Sequence, residues 1–403
     1  LENAIAKNQS TTQVAFSTGA WLAGLLFLFT WVALVWTRSL MDPGHYQTVD
    51  GTYYQELRDD LLAGRPLVLD GLRNKAGKEF SPYPPGFPAL LALEKLAFPS
   101  GAGAFPQGFA VQLLLAVLVF FLFVRNGLPP WIPGILLVGD GFLEVSCHTW
   151  SEGPFTLLAL AWVLLLVNKQ TPVYWVMCFL ALFSLRYAAV FFLPAIVILL
   201  LCFPKRELPG WKSIATALFL KVSWLVFETW RSGLPTGGDR YPNDESSSLL
   251  ISDLCLGLLN QGSYFRDWSG PAGQPIYLMG LGFQVFLLFM VGFTRKEGPQ
   301  ESPTSGSLSV YFVLSGVVYL AQILAVRWYF YFAEGFDNRL LIPGGLLLWA
   351  GFLVWMWERG LRPGFWTFLI CWLAAIGFGL PKTALVLHLQ ELIWGQTGPV
   401  FGP

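Results

Sequence analysis

The sequence predicts an all-α polytopic membrane protein: a transmembrane helical bundle of about eleven helices, with juxtamembrane helices in its first external loop. Three observations carry this. Hydrophobic residues make up 55% of the 403-residue chain and aromatic residues 16%. Charged residues are only 12%, against about 25% in an ordinary soluble domain. Apolar stretches of spanning length recur along the chain, and lysines and arginines collect in every second gap between them.

The spans fall near residues 15–37, 106–125, 129–147, 152–168, 172–186, 188–203, 211–229, 276–294, 306–326, 339–358 and 364–380. The first reads as a span and not as a cleavable signal, because it is long enough to cross. Arg125, Lys169, Lys205 with Arg206 and Lys212, Arg295 with Lys296, and Arg359 with Arg362 mark the cytoplasmic gaps. The alternate gaps, 38–105, 147–152, around 186, 230–275 and 327–338, are then external. They hold most of the acids and Tyr-Pro sequences.

Phe87 to Phe98 is apolar but too short to cross about 30 Å of hydrocarbon, so it is expected to be an interfacial or re-entrant helix on the outer side. Treating it as a span would put the basic loops outside. Lys382 to Trp394 carries Leu385, Leu389, Leu392 and Ile393 at helical spacing and reads as an external amphipathic helix in the tail 381–403. No soluble domain remains, and the chain 1–403 reads as one membrane domain with elaborate external loops.

A net charge of zero excludes a nucleic-acid partner, which would need a basic face. The five cysteines lie mostly inside apolar runs without metal-ligand spacing and read as small buried hydrophobes. No P-loop is present. The sequence indicates no cofactor: a divalent cation stays open, without a ligand set that calls for one.

Four groups of polar residues carry candidate chemistry. The first loop reads VDGTYYQELRDDLL, with Asp50 and Gly51 before Tyr53 and Tyr54, and Tyr83-Pro84-Pro85-Gly86 opens the following apolar run. Asp50 is either the N-cap of the helix that follows or a general base, roles that are compatible. The second group, Asp140, Glu144, His148 and, if the register continues, Glu152, is spaced by four and so lies on one helix face. Acids within a span face a cavity or glue helices together. Glu144 and His148 suit a metal by spacing but lack a third ligand.

The third group is Arg186, Arg327 and Arg339 at external helix ends. Each alone could be a snorkelling anchor, whereas three together suit a phosphate or carboxylate clamp. Lys221 lies deeper in its span, where an acid such as Asp140 would be a partner. The fourth is the loop FETWRSGLPTGGDRYPNDESSSL, with Glu228, Arg231, Asp239, Arg240 and Tyr241, either a lid or a plain connection.

In order along the chain stand VDGTYY, the Tyr-Pro-Pro run before a short apolar helix, Ser151-Glu152 opening the fourth span, and Arg186-Tyr187 after the fifth. A TG-containing loop follows the seventh, and RLLIP (Arg339 to Pro343) opens the tenth. This series resembles the GT-C superfamily of integral membrane glycosyltransferases over nearly the whole chain. The resemblance implies a polyprenyl-phosphate-linked sugar donor, basic residues for the leaving lipid phosphate, and an aspartate of the first external loop as the base.

By position, Asp50 is that base. Glu152 and Arg339 are then candidates for donor or acceptor contacts, and Tyr53, Tyr54, Tyr83, Glu144, His148, Arg186, Tyr187 and Arg327 join them as expected substrate-binding residues. The relatives that modify lipid A with aminoarabinose have a lysine before the paired prolines, where this chain has Tyr83, so the phosphate contact moves to the arginines. The expected acceptor is a lipid, glycan or protein hydroxyl, and the expected place is a plasma (inner) membrane with the site facing the periplasm or cell exterior. The competing classes are a lipid or lipid-linked sugar flippase, which would show an internal repeat or paired broken helices, and a membrane scaffold.

Overall fold

The structure, a computed structural model, describes residues 16–42, 44, 46–69, 72–73, 77–78, 81–99, 105–167, 172–202, 211–232, 242–261, 308–330 and 338–380. These are helical, with no strand among them. In chain order the helices are α1 (Thr18–Met41), α2 (Val49–Leu62), α3 (Gly86–Ala97), α4 (Phe109–Arg125), α5 (Trp131–Leu137), α6 (Asp140–Cys147), α7 (Glu152–Val167) and α8 (Pro172–Leu185). A 3-10 helix (Tyr187–Phe192) then leads into α9 (Leu193–Cys202), α10 (Trp211–Ser232), α11 (Ser247–Gln261), α12 (Leu308–Tyr329), α13 (Asn338–Glu358) and α14 (Phe365–Gly379).

Among the described residues α1, α12 and residues 339–358 of α13 are long and apolar enough to cross a membrane, and several shorter apolar helices accompany them. The protein is an all-α, membrane-associated chain. The expected span 276–294, the tail helix 382–394 and the residues Asp239, Arg240 and Tyr241 lie outside the described residues.

Close approach of backbones builds the bundle, as expected where lipid supplies no hydrophobic drive between helices. The most extensive pairing is α12 with α13, where a Cβ on Gly316 would lie 2.8 Å from the Gly344 carbonyl oxygen. The pair α1 and α5 meets likewise, a Cβ on Gly24 falling 2.7 Å from the Pro130 carbonyl oxygen. A chain of buried ring contacts runs from Trp175 of α8 through Trp162 of α7 and Phe192 of the 3-10 helix to Tyr319 of α12.

The short helix expected at residues 87–98 is α3. It pairs with α2 as a hairpin and docks on α8 through Gly86, where a Cβ would fall 2.5 Å from the Ser184 carbonyl oxygen. A Gly86→Ala protein must push the two helices apart, with an expected loss of about 1–3 kcal/mol read from thermal unfolding in micelles.

Lys95 of α3 reaches Asp59 of α2 at 2.9 Å, and Arg58 grips the same carboxylate at 2.9 Å. The bond from Arg58, ahead of that from Lys95, holds Asp59 down at about 2. Because the folded value is depressed, this contribution is full above the ordinary carboxylate range and is lost as pH falls through about 2. Asp59 is largely exposed, so Asp59→Asn is expected to cost about 0.5 kcal/mol at pH 7, with the gap closing below about pH 4 in parallel melts.

Three readings of the sequence are corrected. The third span is not continuous: α5 ends at Leu137 and α6 begins at Asp140, with Gly139 extended between them (ψ 137°). Glycine has little to lose by leaving the helix, and apolar periodicity does not register one such residue. The face of Asp140, Glu144 and His148 does not run on to Glu152, because the backbone leaves the helix at His148 (ψ 154°) and Glu152 opens α7. The stretch 230–275, expected as a long external loop, contains α11, which packs on α12, α13 and α6.

Candidate functional site

The N-terminus of α2 is seated by Thr48. Its hydroxyl oxygen accepts the Gly51 N–H at 3.1 Å, which makes Thr48 the N-cap, and it also accepts the Trp150 indole N–H at 2.8 Å. Asp50 is therefore not the cap. It stands in the first turn of α2, where the helix dipole favours a carboxylate, and its side chain is about one-fifth exposed.

Two donors hold that carboxylate. The Tyr83 hydroxyl donates to Oδ1 at 2.6 Å, and an Nη2–H of Arg339 donates to Oδ2. Tyr83 is placed by Ser81, whose hydroxyl bonds both the N–H and the carbonyl of Tyr83 at 3.1 Å. Its ring packs on those of Tyr54 (4.5 Å between centres) and Tyr53 (6.4 Å). Burial, followed by the bonded Asp50 carboxylate, pushes the Tyr83 hydroxyl far above the usual phenol range, so it remains a donor. Burial, with the Glu152 charge second, does the same for Tyr54, whose hydroxyl meets Ser151 at 2.9 Å.

Arg339 opens α13 and joins the loop carboxylate to a buried one. Its Nε–H donates to Glu152 Oε1 at 3.0 Å while Nη2 holds Asp50, and its guanidinium carbon lies 4.4 Å from the centre of the Trp150 ring. Pro343 lacks the N–H that would have bonded the Arg339 carbonyl within the helix, so these side-chain ties set the position of the guanidinium. Arg186, just before the 3-10 helix, pairs with the same Oε1 of Glu152. Glu152 is wholly inaccessible to solvent. The result is an alternating chain of charges, Asp50, Arg339, Glu152, Arg186, whose formal sum is zero.

Glu144 and His148 belong to a neighbouring group. Arg38, in the last turn of α1, donates to Glu144 Oε2 at 2.8 Å and to the Gly379 carbonyl at 2.6 Å. His148 stands 3.4 Å from Glu144 and 3.2 Å from the Tyr46 carbonyl. Its ring stacks on Trp150 at 3.8 Å, with 9° between planes, so Trp150 touches both groups. Among the described residues no three His, Cys, Asp or Glu side chains come together as metal ligands, and Glu144 with His148 gain no third.

Of the expected site residues, Asp50, Tyr83, Glu152, Arg186 and Arg339 converge, with Tyr53 and Tyr54 packed against Tyr83. Tyr187 follows Arg186 and packs edge-on to Phe183. Arg327 is paired elsewhere, through its guanidinium with Glu245 at 3.1 Å and through its carbonyl with Asn243 at 2.8 Å, which fastens the segment before α11 to the end of α12. Thr48, Trp150 and Arg38 went unread. A hydroxyl residue just before a helical pattern was the one available signal, and it pointed to Thr48.

No protein-family model, curated protein or solved structure matches this chain.

Proposed function

We propose that the protein is an integral membrane glycosyltransferase of GT-C type with about eleven crossings. It moves a sugar from a polyprenyl-phosphate donor to an acceptor hydroxyl at the membrane face that carries α2 and α3, taken here as the periplasmic or external one. The supporting observation is Asp50: a partly exposed carboxylate in the first turn of α2, gripped by the Nη2 of an arginine whose Nε is anchored on a buried glutamate.

Displacement at an anomeric carbon needs a base for the incoming hydroxyl and positive charge for the departing phosphate. Asp50 serves as the base. Its two bonds leave further lone pairs on the carboxylate for an acceptor hydroxyl, and the undissociated Tyr83 hydroxyl keeps the acceptor-facing group aligned. Arg339 has donors on both edges of a rigid fork, so Nε stays on Glu152 while Nη2 turns from Asp50 to the donor phosphate. Glu152 and Arg186 touch neither reactant in this scheme; they position Arg339. In-line attack opposite the phosphate inverts the anomeric centre.

The flippase reading draws on the break between α5 and α6, because broken helices line transporter sites. Purified protein in proteoliposomes carrying radiolabelled lipid-linked sugars separates the two. The transferase reading expects label to leave the lipid for an acceptor added on one side. Label that crosses the bilayer still attached to its lipid, with none transferred, would replace this reading by the flippase one.

A further inference from the structure

Lys221 lies in the middle of α10, on the buried face it shares with Ile214, Ala217 and Glu228, and is itself only 7% exposed. That face packs on α8. The Lys221 ammonium stands 5.1 Å from the centre of the Phe183 ring, in the last turn of α8, three residues before Arg186. It is thus at the same end of α8 as the Asp50 site. Among the described residues no carboxylate pairs with it. Glu228 follows seven residues later, about 10 Å further along the helix axis.

An ammonium on the buried face of a largely apolar helix is costly and is normally compensated by an acid or by an anionic ligand. One aromatic face is a weak substitute for a counter-ion. Arg339 and Arg186 are already balanced by Asp50 and Glu152, so a phosphate that Arg339 grips brings net negative charge to a neutral cluster and calls for a further cation beside it. Among the described residues, Lys221 is a nearby cation that no carboxylate balances.

We infer that Lys221 receives the phosphate of a membrane lipid headgroup, between α8 and α10, beside the Asp50 site. The chemistry is shared by a polyprenyl phosphate and by a bulk phospholipid. Only assignment to the former rests on the transferase reading.

The test uses full-length protein in a phosphate-free maltoside detergent, with binding of polyprenyl monophosphate, polyprenol and phosphatidylglycerol measured by native mass spectrometry. Wild type is expected to hold polyprenyl monophosphate about tenfold or more tighter than polyprenol, as one charge-assisted hydrogen bond supplies. Lys221→Met should lower that preference about tenfold and Lys221→Arg should keep it. A loss confined to polyprenyl monophosphate supports the donor assignment. An equal loss for phosphatidylglycerol supports the phosphate contact but withdraws its support from the transferase reading.

Undiminished binding of both phosphate lipids by Lys221→Met would overturn the inference. A second measurement guards against a structural role. Removing an uncompensated charge should leave the lipid-free melting temperature unchanged or raised, and a Lys221→Met protein that melts lower or does not fold would equally overturn it.

Discussion

Replacing Asp50 by asparagine is expected to reduce sugar transfer by about 10²–10⁴-fold, the usual contribution of a positioned general base. Asparagine has nearly the same shape. Its carbonyl oxygen still accepts from Tyr83, and Arg339 stays anchored on Glu152, so the protein should remain folded with the loop in place. The loss should fall on kcat. Donor KM should hold or drop, since Arg339 no longer divides its charge between Asp50 and the phosphate. Single-turnover transfer and thermal melts on the same preparation separate chemistry from folding. Full transfer by folded Asp50→Asn would remove Asp50 from the mechanism.

The second large effect is on stability. Glu152→Gln is expected to cost about 3–5 kcal/mol, because it leaves two guanidinium groups around an uncharged buried amide. Breaking one side of a buried pair is far costlier than removing both. A Glu152→Gln, Arg186→Gln double variant should therefore recover part of the loss, although Arg339 would lose its anchor and activity would stay low. Denaturant titration of the single and double variants measures this. A Glu152→Gln protein as stable as wild type would mean that the buried carboxylate does not hold the arginines.

Much of the architecture was legible along the chain. The short helix expected at residues 87–98 is found as α3 (Gly86–Ala97), and the amphipathic pattern after Asp50 is α2. Both follow from local pattern and length. The break at Gly139 and the helix α11 were not legible. The first turns on one residue's backbone angle. In the second, Ser, Asp, Asn and Gln dilute the apolar signal that its packing on α13 and α6 then uses.

The site was named but not assembled. Asp50, Tyr83, Glu152, Arg186 and Arg339 each stood out as polar groups at the ends of apolar stretches, yet their partnerships span 33 residues for Tyr83 with Asp50, 187 for Glu152 with Arg339 and 289 for Asp50 with Arg339. No spacing rule reaches across such distances. The arginines read as a group of three because charge alone was visible; Arg327 is instead paired with Glu245.

Composition and spacing by themselves determined that this chain is helical and membrane-associated, with its polar residues gathered at helix ends. An apolar chain of this kind satisfies its backbone internally and can afford ionisable groups at few places. Which of those groups meet was decided only by the tertiary structure. Coulombic pairing acts over a few ångströms between side chains brought together by helix packing, and that packing makes Arg339 the bridge between a partly exposed carboxylate at the start of α2 and a buried one.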